Sequence, residues 1–186
     1  RARIAPILLL TTQGSEPMNR AEELKARAEA ILPDVQKFAH RAFVVELTGT
    51  PKAGKSSAVR LLRGFFKQCG YQVHVLEEKA EDCPLLMKGH FYFNTWTTCS
   101  TIAEVVEKVE AEVDLLIIDR GLFDALIWLE RQKNHGQISQ EEFSTFESFV
   151  LLDRWRSLTD ITLVMSVDAE KAMERERNSR ILEREG

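Results

Sequence analysis

No stretch of this sequence is apolar for long enough to cross a bilayer. Ile7–Leu10 is too short, and it lacks the form of a secretory signal. Cysteine is scarce, with three residues, Cys69, Cys83 and Cys99, far apart and odd in number. No C-x-x-C pair exists, so neither a zinc site nor a disulfide framework is implied. A reducing cytosol is the natural setting, and a cytoplasmic location is expected. The four histidines, His40, His74, His90 and His135, have no metal-ligand spacing and read as structural or surface residues. Positive charge is not in excess: the formal net charge is −4. Broad binding to nucleic acid or to anionic membrane is therefore not expected. Internal repeats and low-complexity tracts are absent.

What is present is an alternation of strands and helices. Asn19–Phe38 is rich in Ala, Glu, Lys and Arg and reads as a helix, with Asn19 as its cap and Pro33 as a break or bend. Residues 1–42 form an N-terminal extension, partly helical. Phe43–Thr48 is the first clear strand. A helix follows from Lys55 to Gln68, with Gly70 as its stop. Tyr71–Leu76 is a second strand, Thr101–Glu112 a helix and Leu115–Ile118 a fully apolar strand. Leu122–Lys133 is a helix ended by the turn His135-Gly136. Ser139 caps a helix reaching about Ser157. Ile161–Val167 is a buried strand, and Asp168 caps a last helix to about Glu183. This order predicts an α/β fold of three layers, with a central parallel sheet covered on both faces.

Between the first strand and its helix lies Gly49-Thr50-Pro51-Lys52-Ala53-Gly54-Lys55-Ser56, a full match to G-x-x-x-x-G-K-[ST]. Its glycines let backbone N–H groups turn toward phosphate oxygens, and the helix adds its free amides and positive end. Lys55 is expected to reach the β- and γ-phosphates of a nucleoside triphosphate, ATP above all. Ser56 is expected to hold Mg²⁺, and Ser57 to add a hydrogen bond. Asp119 ends the apolar third strand as in a Walker B segment, where α/β sheets bind ligands, and is the second expected Mg²⁺ holder. Arg120 follows it and suits a clamp on a transferring phosphoryl group.

Other absences narrow the class. A motor ATPase of the AAA type carries a glutamate where Arg120 stands. A GTPase needs D-x-x-G and N-K-x-D, and neither occurs. No ABC-transporter signature is present. A small phosphotransferase remains.

Gly49–Ser56 together with Asp119-Arg120-Gly121 resembles the thymidylate kinase and deoxynucleoside kinase superfamily of P-loop kinases. Gly121 departs from the serine of the deoxynucleoside kinases. The resemblance implies a sheet of the nucleoside/nucleotide kinase type over residues 43–186. It implies that Glu77 or Glu78 accepts the proton of an acceptor hydroxyl. Phe91–Trp96 resembles the aromatic stretch that reads a base, so Phe93, Asn94 and Trp96 become substrate residues. Arg175, Arg177 and Arg180 take the place of lid arginines. Such kinases continue past the lid, and the domain reads as truncated there; Ile7–Leu10 is one source of a further strand. A small-molecule acceptor is implied, and a homodimer stays open. A nucleotide-gated regulatory module and a kinase for a non-nucleoside small molecule are the alternatives. Trp128 and Trp155 read as core residues.

Overall fold

The computed structural model describes residues 17–80, 82–85, 91–110 and 113–185, without the side chains of 17–19, Phe38 and 179–185. The sheet has four parallel strands, β1 (Phe43–Gly49), β2 (Val73–Leu76), β3 (Leu115–Asp119) and β4 (Ile161–Met165), in the order β2-β3-β1-β4. Val45 lies opposite Ile117 on one side and Ile161 on the other, so β1 is central. The helices are α1 (Pro17–Phe38), α2 (Lys55–Gln68), α3 (Phe91–Val109), α4 (Leu122–Asn134), α5 (Gln140–Val150), α6 (Asp153–Arg156) and α7 (Ala169–Glu185). The expected three-layer α/β fold is therefore present. The segment Ile7–Leu10 lies outside the described residues.

Alternation along β1 assigns its two faces. Val45 and Leu47 join Val59, Leu115 and Ile117 in a core under α2. Val44 points to the other face, into a core with Leu76, Val105, Leu116 and Ile118 under α3. A further core binds α4 and α5 through Leu122, Leu129, Phe143, Phe146 and Val150.

Several expected boundaries move. α1 starts at Pro17, so Asn19 lies inside its first turn rather than capping it. Pro33 sits within α1 without ending it. A proline there removes a hydrogen bond. The loss is offset by packing of Ala28, Leu32 and Val35 on Cys69, Tyr71 and Phe65, and by the Tyr71 hydroxyl donating to Ala28 O at 2.8 Å. α3 begins at Phe91, ten residues before the expected Thr101. Threonines and aromatics are weak helix formers. Here the Thr95, Thr98 and Thr101 hydroxyls donate to carbonyls one turn back.

Ser139 and Glu142 form the capping box of α5. That helix stops at Val150, and α6 is a separate turn, not a continuation to Ser157. The backbone is extended at Leu152, with ψ 133°. β2 begins at Val73 rather than Tyr71, and β4 ends at Met165 rather than Val167. β4 was expected to be buried, yet Val164 is 73% exposed. It pairs only with β1 among the described residues.

Candidate functional site

Gly49, at the end of β1, has φ +129°, and a β-carbon there would lie 1.9 Å from Met165 O. Only glycine fits so close to β4. Thr50 N donates to the same Met165 oxygen at 3.0 Å, and Val167 N donates to Thr50 Oγ1 at 3.1 Å. Lys52 and Gly54 take left-handed φ values of 59° and 94°. These turns wrap the loop around its own interior. Pro51 is exposed and Ala53 half-buried on the rim. Lys55 is buried, and its ammonium donates to Gly49 O at 2.9 Å and Thr50 O at 2.8 Å. Burial holds its pKa below the ordinary lysine value, and the Arg120 guanidinium adds to this.

Ser56 Oγ donates to Asp119 Oδ2 at 2.9 Å, so the two residues expected to hold Mg²⁺ meet. Asp119 Oδ1 is buried with no hydrogen-bond partner among the described residues. A hydroxyl and a carboxylate with a spare oxygen suit an octahedral cation that keeps several waters. Ser57 Oγ accepts from Arg60 at 3.3 Å and is exposed.

Arg120 occupies the left-handed region at φ 64°, uncommon for a residue with a side chain. Its N–H donates to Leu47 O at 3.0 Å, fixing the turn after β3 on β1. Its Nε lies 2.8 Å from Glu78 Oε2, and its Nη1 donates to Asp124 Oδ2 at 2.9 Å. Burial opposes the charge, but Asp124 and Glu78 outweigh it and hold the guanidinium above its ordinary pKa. Of the two glutamates left open by the sequence, Glu78 joins the site, and Glu77 is exposed and makes no such pair.

Glu78 and Arg120 stand at a cavity of about 370 Å³ between the end of β2, α3 and α4. Phe93 and Asn94, the expected substrate residues, line it. Trp96 does not: the side of α3 that faces the cavity carries Thr97, Thr98 and Thr101 beside them. Trp128, read as core, lines the cavity instead. Its indole N–H donates to Asp124 Oδ2 at 3.1 Å, and the Arg131 guanidinium lies 5.5 Å over its ring. Trp155 packs in the α4–α5 core.

Near the loop, Arg175 Nη1 donates to Lys52 O at 2.7 Å, and Lys52 pairs with Glu176 at 3.0 Å. Arg177 is exposed, and the side chain of Arg180 lies outside the described residues.

Sequence reasoning missed two site residues. Asp124 is buried and accepts from Thr48 Oγ1 at 3.1 Å, from Arg120 and from Trp128. Glu46 is fully buried on β1, where its Oε1 accepts from Phe123 N at 3.1 Å. Burial pushes its carboxyl up to about 7 against the pull of the Phe123 amide, with Asp124 adding to the rise. A carboxylate inside an otherwise apolar strand was the readable signal for Glu46. Asp124 offered only its place one turn after Arg120.

The loop, the sheet order and the Ser56–Asp119 pair define a P-loop NTPase fold, whose loop takes nucleotide phosphates. Comparison with known proteins agrees. Residues 16–79 match the family model described as methylmalonyl Co-A mutase-associated GTPase MeaB. No curated protein sequence matches the chain. Among solved structures, deoxyadenosine kinase from M. mycoides with bound dATP is similar. It superposes with TM-score 0.55 at 19% identity, over 73% of this chain and 71% of that one. The same kinase with products dCMP and a flexible dCDP gives TM-score 0.56 at 20% identity, over 73% and 70%. At these identities the likeness is one of fold.

Proposed function

We propose that the protein is an ATP-dependent phosphotransferase that moves the γ-phosphoryl group to a hydroxyl of a nucleoside-like small molecule. The observation that carries this reading is the Glu78–Arg120 pair at the cavity, next to the phosphate loop. A carboxylate at that point suits removal of a proton from a hydroxyl, and it would repel an acceptor that is itself a phosphate. Arg120 then faces the charge that spreads over the phosphoryl oxygens in transfer.

In this reading the triphosphate lies on Gly49–Ser57, with Lys55 leaving its two carbonyls for the β- and γ-phosphates. Ser56 and Asp119 hold Mg²⁺, which when bound offsets phosphate charge. The acceptor sits in the cavity, with its hydroxyl toward Glu78 and its flat part between Phe93, Asn94 and Trp128. Arg175 belongs to a lid whose closure excludes water.

A second reading is a nucleotide-gated regulatory NTPase, favoured by the match of residues 16–79 to a GTPase family model. The test is phosphoryl transfer from γ-labelled ATP and GTP to a panel of nucleosides and nucleoside monophosphates, with K55A as control. A labelled nucleoside product lost in K55A is expected. Tight nucleotide binding with hydrolysis but no product would favour the second reading.

A further inference from the structure

We propose that Glu46 caps α4 from the neighbouring strand and is the positioning residue that sets Arg120 and Asp124 against the phosphate loop. The first turn of a helix has amides in need of acceptors, and a serine or aspartate at the N-cap usually supplies one. The N-cap of α4 is Gly121, which has no side chain to offer. Glu46 fills the role, with its Oε1 accepting from Phe123 N at 3.1 Å.

The geometry makes the two positions exclusive. A β-carbon on Gly121 would lie 2.5 Å from Glu46 Cδ and 2.7 and 2.8 Å from its two oxygens. Gly121 has φ −97° and ψ −145°, outside the left-handed region, so the clash with Glu46 is by itself enough to demand glycine here. A fully buried carboxylate is expensive without polar partners, and helix amides are suitable ones.

The connection continues along the same face of β1. Thr48, two residues on, donates to Asp124 Oδ1, and Asp124 receives Arg120 Nη1. One step further, the strand becomes the phosphate loop. Glu46 and Thr48 are thus two rungs between the element that holds phosphate and the element that holds Arg120.

The test is a cycle of wild type, E46A, G121S and E46A/G121S. Serine at the N-cap brings its own acceptor, so the double variant rebuilds the cap from the opposite side of the same gap. Hydrogen exchange at the Phe123 amide is expected to quicken about tenfold in E46A and to return to within about threefold in the double variant. The Nε resonance of Arg120 should shift in E46A and return in the double variant. The rate measurement rests on the phosphotransferase reading: kcat falls about tenfold in E46A, while KM for ATP stays within about twofold. If wild type transfers no phosphate, that reading fails, and the exchange and Arg120 signals still decide the role of Glu46. Equal exchange in wild type and E46A overturns the cap. An Arg120 signal indifferent to E46A, or a double variant no better than E46A, overturns the positioning. Should E46A not fold, E46Q replaces it. Because glutamine keeps an acceptor oxygen, Phe123 protection is expected within about threefold of wild type, and its loss overturns the proposal.

Discussion

The phosphate loop and the cavity beside it share Arg120 as a neighbour but are built from opposite materials. The loop is one contiguous segment whose shape comes from backbone torsions at Gly49, Lys52 and Gly54. The cavity draws on three separate segments, and its polar character comes from side chains: Glu78, Asn94, Arg120 and Asp124. A backbone site can receive any triphosphate, because main-chain amides do not depend on residue type. A side-chain site selects, because each group must be matched or left unpaired. In the proposed function, recognition of the phosphates and choice of acceptor fall to different parts of the molecule.

The largest test of this division is E78Q. The change keeps the shape and removes the proposed base, so kcat is expected to fall about 10²- to 10⁴-fold with nucleotide affinity unchanged in equilibrium titration. An equal loss of nucleotide binding would break the division. E77Q, on an exposed neighbour, is the matched control and should move neither quantity by more than about twofold.

Next in size is the pH dependence of stability. With Glu46 at about 7 when folded and 4.5 as its ordinary value, the native state binds the proton more tightly than the unfolded chain. Stability therefore falls as pH rises from about 4.5 through 7, by about 3 kcal/mol once the group is fully ionised. Asp124 is the charged neighbour that adds to this shift. Chemical denaturation of E46Q between pH 5 and 8 should show a flatter profile than wild type. Parallel profiles would remove Glu46 from the account.

The smallest expected effect is at Asn94. It is 6% exposed, lines the cavity and makes no side-chain hydrogen bond with the described residues. In the proposed function its amide faces the acceptor. N94A should raise KM for the acceptor about tenfold and change stability by less than about 1 kcal/mol. A larger stability loss with unchanged KM would return Asn94 to a structural role.

The same division explains what was legible in the sequence. The phosphate loop is local, and its residues and flanking elements stood in the chain as the fold uses them. Asp119 was readable because an apolar strand ended on it. The cavity was readable only in part. Trp128 has helical spacing among apolar neighbours, and that spacing does not distinguish a core face from a cavity wall. Glu77 and Glu78 are adjacent, and only the turn after β2 decides which of them meets Arg120. The start of α3 was hidden by threonines whose hydroxyls satisfy the backbone only once the helix exists. The exposure of Val164 depends on what lies beside β4, which its own apolar run does not encode.

Gly49 carries a consequence of another kind. Its torsion and its contact with Met165 O both exclude an L side chain, and both arise from the same hydrogen of the glycine. The obstacle is one of handedness more than of bulk. A D-residue satisfies the sign of that φ, which an L-residue rarely adopts. The loop opens on a position where the chain needs the chirality that ribosomal synthesis does not supply, and glycine meets that need by having none.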